Sequence, residues 1–259
     1  MSDNCDPRGA LQFLLQEEPQ NAAVQLLALA DADKRGDRKA ADGYWQAIAS
    51  ASTYDAHTLE IGRLLHATMA GVEQPPLDPR LAQAMGAWFG LNRSATAQDF
   101  ADVGLIGMAA AWAMPALSPV SRECKMEKLA SAGLDRQAEC ERALELLSAD
   151  ESTLLAPMIG LTKLVELSGD SPEGKLWREQ LRQFYWVYEN MQQRMPGLSS
   201  DGPLPAEYGA WFMTEGELSA MRKALAHYGL PQQAPAGWLP RAPRYRALIS
   251  TGREPVNIN

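Results

Sequence analysis

The sequence predicts an all-α protein on the strength of its composition, its helix-start signals and its single long apolar stretch. Hydrophobic residues make up 46% of the chain, but aromatic residues only 7%. Alanine and leucine are abundant while runs of β-branched residues are nearly absent, and this balance favours helix over strand. We expect about eleven helices, joined by short connections and packed as antiparallel hairpins.

Six candidate helix starts recur along the chain. Four place a capping side chain directly before a proline, which loses no hydrogen bond at the first helical position. These four are Asp6-Pro7, Asp78-Pro79, Ser118-Pro119 and Ser171-Pro172. The other two have the spacing of a capping box, in which each side chain bonds the backbone N–H of the other residue. These two are Ser148 with Glu151 and Thr214 with Glu217.

The starts and the apolar periodicity together place the expected helices. They lie near residues 7–16, 22–34, 38–51, 56–70, 79–91, 97–114, 119–132, 136–148, 151–167, 172–195 and 215–228. The segment that follows them is poor in helical signals, so we expect one helical domain over residues 1–229.

The longest run without charged or strongly polar side chains is VGLIGMAAAWAMPAL, from Val103 to Leu117. As a helix it would rise roughly 22 Å, which is short of the ~30 Å hydrocarbon core of a bilayer. A helix that is apolar on every side is expected to be surrounded by other helices. We therefore expect a buried central helix, with Gly104 and Gly107 at close-packing positions, and no membrane insertion.

One predicted hairpin carries a spaced set of small and aromatic residues. The set consists of Leu27 and Ala28 in the first helix, Gly36 and Asp37 at the turn, and Ala40, Tyr44 and Ala47 in the second helix. Over residues 22–55 this pattern resembles one tetratricopeptide-type repeat, although the Trp and Tyr of that family's first helix and its closing Pro are absent. The resemblance implies a helical-repeat-like protein that binds other proteins. No second copy occurs at the repeat period, so we expect an irregular α-solenoid or a bundle.

The predicted helix over residues 172–195 has one regular apolar stripe. Its members follow three- and four-residue steps and are Trp177, Leu181, Phe184, Tyr188, Met191 and Met195. Trp186 faces away from this stripe, and Tyr185 lies beside Trp186. Since Trp and Tyr dominate interface hot spots, both are candidate partner contacts. The alternative is that Trp186 is buried against another helix or beneath the end of the chain.

Residues 230–259, here called the C-terminal tail, are rich in proline and arginine. The tail's prolines forbid a continuous helix. It contains four arginines and one glutamate, so its net charge is +3 while the rest of the chain carries -11. We expect an extended strap on the acidic body. The alternative is that Arg241, Arg244 and Arg246 contact an acidic partner.

Cys124 and Cys140 are expected to lie at the same level of a helical hairpin, because each is eight residues from Ala132 at the turn. This placement predicts a disulfide, although spacing alone does not establish its geometry. A disulfide would imply an oxidising compartment such as a bacterial periplasm and a leader removed from the chain. The alternative is two semi-buried thiols in the cytoplasm.

The chain offers few residues for chemistry. His57 and Glu60 are three residues apart and could share a metal ion, but His66 lies off their face, so we expect a capping or half-buried structural histidine. Phosphate-binding loops, nucleophile elbows and zinc-protease signatures are all absent from the sequence. We therefore expect no catalytic residue, no cofactor and no bound metal ion.

The net charge of -8 and the isoelectric point near 5.0 bear on the partners. They argue against nucleic-acid binding and against docking on an anionic membrane, and they favour a partner with a basic surface. The leading hypothesis is a bacterial protein-binding protein, and one specific form is an immunity or inhibitor protein that neutralises a secreted toxin. The alternatives are an enzyme or small-molecule binder with a site between helices, and a structural envelope or assembly factor.

Overall fold

The computed structural model describes residues 6–89, 91–112, 116–194, 204–205 and 207–255, and within them the all-α prediction is confirmed. No strand occurs among these residues, and the one β-bridge pairs Asn21 with Thr53. The described residues form fourteen helices. These are α1 Pro7–Glu17, α2 Ala22–Arg35, α3 Arg38–Ser50, α4 Thr58–Ala70, α5 Pro79–Trp88, α6 Ala97–Trp112, α7 Ser118–Glu123, α8 Met126–Ala132, α9 Leu134–Ser148, α10 Leu155–Ser168, α11 Pro172–Gln192, α12 Tyr208–Glu215, α13 Glu217–His227 and α14 Pro243–Thr251.

The chain folds as two compact units. Unit 1 comprises Met1–Ala56, Met114–Asp150 and Leu155–Trp177; unit 2 comprises His57–Ala113, Glu151–Leu154 and Arg178–Asn259. The sequence suggested one domain over residues 1–229 with the tail as a separate segment. One of the crossings between the units falls inside α11, between Trp177 and Arg178.

Unit 1 is built around α2, α3, α9 and α10. Its core contains fully buried large side chains, which include Leu26, Leu29, Ile48, Leu144, Leu147 and Leu164. Helix α10 approaches α9 closely at Gly160, where an added Cβ would lie 2.7 Å from the carbonyl oxygen of Leu144. Glycine is therefore required at that crossing for steric reasons.

Unit 2 is organised around α12, which packs on α4, α6 and α13. Helix α4 meets α12 at Gly62, where an added Cβ would lie 2.4 Å from the carbonyl oxygen of Met213. The inner positions of α12 and α13 include the buried side chains of Tyr208, Met221 and Leu225.

Three of the four predicted Pro-associated caps are confirmed. Asp6 accepts a hydrogen bond from the N–H of Arg8, Asp78 accepts from Arg80 and Leu81, and Ser171 accepts from Gly174. At the fourth, α7 begins at Ser118 itself, and its preceding residue makes no side-chain cap.

Both predicted capping boxes are wrong. Ser148 is the last residue of α9 and donates to the carbonyl oxygen of Glu145. Thr214 lies inside α12 and donates to the carbonyl oxygen of Ala210. In both cases the hydroxyl bonds a carbonyl oxygen of its own helix and does not cap the next one, which the spacing alone did not reveal.

The structure has three helices more than the sequence predicted. The predicted helix over 119–132 is broken at Cys124, which gives α7 and α8. Helix α12 lies in a segment for which no helix was predicted. Helix α14 occupies part of the tail, so the tail is not extended there; Pro243 stands in its first turn, where proline is tolerated.

Helix α6 contains the first part of the apolar stretch, and the expectation that it is buried on every side is wrong. Among its described side chains only Leu105 is buried, whereas Met108 is 47% exposed. Apart from the backbone of α6 itself, no atom of the described residues lies within 4 Å of a Cβ built on Gly104 or Gly107, so these glycines are not close-packing positions. An apolar run therefore did not imply full burial. Within the described ranges no helix is both long and apolar enough to cross a membrane.

Candidate functional site

Trp186 and Tyr185, the predicted partner contacts, are both buried in unit 2. The indole Nε1 of Trp186 donates to the carbonyl oxygen of Pro231 at 2.7 Å, and its ring meets Trp238 edge to face at 5.3 Å. The ring of Tyr185 stacks on Tyr245 with centroids 4.2 Å apart. Both aromatic residues are covered by the C-terminal tail, so a partner would have to displace the tail to reach them.

The tail arginines also bond within unit 2. The backbone N–H of Arg241 donates to the carboxylate of Glu189 at 2.9 Å, and its guanidinium donates to Gln193. Arg246 donates to the carbonyl oxygen of Pro240, and Arg244 forms an ion pair with Glu254. These contacts fit the expected strap rather than the partner alternative, although the strap includes a helix.

Arg182 also connects helix α11 to the tail. Its guanidinium donates to the carbonyl oxygen of Pro235 at 2.7 Å while it also bonds the carboxylate of Glu179. These bonds raise the pKa of Arg182 and lower the pKa of Glu179, in each case chiefly through the hydrogen bond between the two groups. The tail is therefore held by backbone carbonyls as well as by its own side chains.

Cys124 and Cys140 are joined by a disulfide in unit 1, with 5.6 Å between their Cα atoms. Cys124 follows the last residue of α7, Cys140 lies in α9, and both are fully buried. The bond fixes the short helices α7 and α8 against α9.

His57 lies at the start of α4 with a positive φ of 55°, a left-handed conformation that histidine adopts more readily than most residues. Its Nδ1 lies 3.3 Å from the carboxylate of Glu60. The described part of the chain contains no group of three or more His, Cys, Asp or Glu that could hold a metal ion.

A cleft of about 570 Å³ opens in unit 2 between α6, α12 and the end of α13, and we call it the unit-2 cleft. Its apolar walls comprise Phe89, Leu91, Val103, Ile106, Leu204 and Pro205. Its polar groups are Arg93, Asp99, Asp102, Tyr208, His227 and Tyr228. The volume falls within the range of small-molecule sites, which combine apolar walls with a few convergent polar groups.

Arg93 and Asp99 compensate each other at one side of this cleft. The guanidinium of Arg93 donates to both carboxylate oxygens of Asp99, at 2.6 and 2.9 Å. Asp99 also accepts from the N–H and hydroxyl of Thr96, and its own N–H donates to that hydroxyl, which caps α6. The hydrogen bond from Arg93, aided by those from Thr96, holds the pKa of Asp99 well below its usual range.

Asp102 and Tyr208 are less fully bonded. From the described residues Asp102 accepts one hydrogen bond, from Gln98 at 2.7 Å to one of its two carboxylate oxygens. The hydroxyl of Tyr208 is buried, and no hydrogen-bond partner for it occurs in the described structure. Burial, with a smaller contribution from the charge of Glu217, raises the pKa of this hydroxyl. The second carboxylate oxygen of Asp102 can therefore accept a further hydrogen bond.

Helix α6 presents a second surface away from the unit-2 cleft. Phe100, Gly104, Gly107 and Met108 share one side of the helix at helical spacing, and we call this side the outer face of α6. Phe100 is 46% exposed and Met108 is 47% exposed. The outer face contains no charged side chain.

Unit 1 has a polar groove of about 690 Å³ above Trp45. The guanidinium of Arg136 lies 5.0 Å from the ring of Trp45 and bonds Asp42 at 2.7 Å. Burial raises the pKa of Glu139, which lies 3.2 Å from the same guanidinium. Within the described groove Asp33 and Glu123 also have cationic partners, so the groove does not provide the open acidic surface that the net charge suggested.

The sequence did not identify Asp102 and Tyr208 as site residues. Thr96 and Asp99 have capping-box spacing, so the start of α6 and the side on which Asp102 lies could have been found from it. Tyr208 had no such signal, because it belongs to a helix that the sequence did not predict.

Comparisons with protein-family models, with curated proteins and with solved structures gave no match.

Proposed function

We propose that this chain is a helical protein that works by binding another protein, and that the outer face of α6 is its contact surface. One observation carries the proposal: the most apolar helix of unit 2 turns Phe100, Gly104, Gly107 and Met108 to solvent. Exposed apolar patches on soluble proteins commonly mark interaction surfaces, because leaving them in water has a free-energy cost.

The composition of the outer face suggests the partner's chemistry. The open space above Gly104 and Gly107 would let a partner's backbone approach closely, while Phe100 and Met108 would flank it. Met is a side chain that adapts readily to different partners. We infer a partner that presents an apolar helix or loop, with basic residues around it that suit the net charge of -8.

The immunity or inhibitor hypothesis is the form of this proposal in which the partner is a secreted toxin. It is supported by the acidic charge and by an apolar surface that a partner could cover. The tail arginines are a weaker contact surface, because they bond Glu189, Gln193 and backbone carbonyls of unit 2.

Site-specific photo-crosslinking tests the proposal. A photoreactive phenylalanine analogue replaces Phe100 in the host cell, and adducts are identified after irradiation by mass spectrometry. We expect an adduct with one defined protein. The matched control places the same analogue at Phe13, which is 60% exposed in unit 1 and should not form that adduct.

A charge substitution provides the second arm of the test. Met108→Asp should abolish the adduct at Phe100 without changing the circular dichroism spectrum, since Met108 is exposed. If Phe100 yields no specific adduct, or if Met108→Asp leaves the adduct unchanged, the outer face of α6 is not the contact surface.

A further inference from the structure

The unit-2 cleft presents one carboxylate whose hydrogen-bonding capacity the protein leaves partly open. Asp102 lies on α6 with its side chain half-buried, and among the described residues only Gln98 bonds it, at one of its two oxygens. A carboxylate can accept about four hydrogen bonds, so the second oxygen is available to a ligand. Helix α12 approaches here without a side chain, since Gly209 faces Asp102.

Apart from Asp102, the charged groups that line the cleft do not favour an anionic ligand. The guanidinium of Arg93 is occupied by both oxygens of Asp99 and by the carbonyl oxygen of Ser94. His227 lies exposed at the cleft. With Arg93 and Asp99 compensating each other, Asp102 is the uncompensated charge among the described lining residues. Charge complementarity therefore favours a cationic ligand.

The remaining walls fit an apolar or aromatic body. Val103 and Ile106 lie on the same side of α6 as Asp102, and Phe89 faces the cleft from the end of α5. The buried hydroxyl of Tyr208 has no partner among the described residues, and such a group costs free energy unless something bonds it. Tyr208 thus adds a buried polar group to a lining residue of the cleft, next to Gly209.

We propose that the unit-2 cleft binds a small organic amine, with its ammonium group on Asp102 and its apolar or aromatic body against Val103 and Ile106. An N–H to carboxylate bond is charge-assisted and stronger than a neutral one, and the apolar walls would strengthen it by excluding water. The cleft and the outer face are on different sides of α6, so this proposal and the protein-binding proposal can fail separately.

Three probes with one skeleton test the charge preference. The probes are 4-phenylbutylamine, 4-phenylbutanol and 4-phenylbutyrate, and their affinities for the full-length protein are measured by NMR titration. We expect the amine to bind about tenfold tighter than the alcohol, and the butyrate to bind more weakly than the alcohol. An amine that binds no tighter than the alcohol, or no binding by any probe, would overturn the proposal.

Asp102→Asn tests the residue. This variant keeps the shape of the side chain and the acceptor for Gln98. We therefore expect the affinity for the amine to fall to about that for the alcohol, while the affinity for the alcohol changes less than twofold. The matched control is Glu73→Gln, an exposed carboxylate of unit 2 outside the cleft, which should keep the tenfold ratio. An undiminished ratio in Asp102→Asn would overturn the assignment.

A measurement on the unaltered chain covers the case in which the variant fails to fold. Isotope-filtered NOEs should connect the phenyl ring of the bound amine with the methyl groups of Val103 and Ile106. NOEs to other residues without any to these two would place the amine elsewhere and overturn the proposal.

Discussion

The indole N–H of Trp186 donates a hydrogen bond to the carbonyl oxygen of Pro231, 45 residues further along the chain. This bond crosses from α11 to the first residues of the tail, and beside it the ring of Trp238 closes on the same indole. Trp186 thus acts as an anchor for the tail in the folded chain. Its aromatic character, which suggested a partner contact, serves an intramolecular one.

Replacing Trp186 tests this anchoring role. Trp186→Phe keeps a ring against Trp238 but removes the N–H and part of the buried surface, so we expect the free energy of unfolding to fall by about 1–2 kcal/mol. The control is Trp88→Phe, which alters a half-exposed ring and should cost only about a few tenths of a kcal/mol. Urea denaturation measures both, and equal effects would argue against the anchor.

The helix in the tail gives a second, independent test of the strap. Leu248 in α14 is fully buried, whereas Leu239 ahead of it is 37% exposed. Leu248→Ala should therefore lower the free energy of unfolding by about 3 kcal/mol, and Leu239→Ala by less than about 1 kcal/mol. If Leu248→Ala left the thermal stability unchanged, the tail would not stabilise the fold, and its arginines would be open to an acidic partner.

Local signals predicted the fold class and most of the helices. Asp6, Asp78 and Ser171 each stand directly before a proline and cap the helix that follows. These caps could be predicted because a cap depends only on neighbours within one turn. Tertiary context decided the rest. Leu105 is the only buried side chain among those described in α6, because burial depends on which elements pack against the helix, and a uniformly apolar pattern does not contain that information.

The site illustrates the same limit. Asp102 becomes a cleft residue only because Gly209, far along the chain, brings α12 against α6. No spacing rule connects these two residues, so the sequence could not place them together. The sequence made Trp186 and Tyr185 candidate partner contacts, but which segment covers them could be seen only from the path of the tail.

The disulfide of unit 1 predicts a measurable redox dependence of stability. A bond that closes a loop of 16 residues stabilises by about 3 kcal/mol through restriction of the unfolded chain. Reduction should therefore lower the melting temperature of the native protein, while the double variant Cys124→Ala/Cys140→Ala should melt at the same temperature with and without reductant. Cys5→Ser is the control and should respond to reductant as the native chain does.

A thiol count checks the same bond directly. Three cysteines are present, and Cys5 lies outside the described residues. Unfolded, unreduced protein should titrate with one free thiol, and reduced protein with three. Three thiols before reduction would contradict the bond.

Asp99 predicts a pH dependence of the stability of unit 2. Its folded-state pKa is depressed by Arg93 and Thr96, so its contribution is present above the ordinary value of about 4 and is lost as the pH falls through the folded value. At pH 7 Asp99→Asn should cost about 1 kcal/mol through the cap of α6, since the exposed ion pair adds little. The difference should shrink below about pH 4. Glu73→Gln is the control, and its free energy of unfolding should match that of the native chain at every pH. If the stability difference between Asp99→Asn and the native protein stayed the same at low pH, this carboxylate would not have the proposed role.

Tyr208 predicts that one substitution in the cleft will stabilise the empty protein. Its hydroxyl is buried and has no hydrogen-bond partner within the described residues, so Tyr208→Phe removes a polar group that water can no longer solvate. Such a removal should raise the free energy of unfolding by about 1 kcal/mol, because no protein hydrogen bond is lost in exchange. Tyr54→Phe in unit 1 removes another buried hydroxyl that has no hydrogen-bond partner among the described residues, and it should shift stability in the same direction. Chemical denaturation of the two variants measures both changes. A loss of more than about 1 kcal/mol in Tyr208→Phe alone would mean that its hydroxyl is bonded in the folded chain, and the wall of the cleft would then be complete without a ligand.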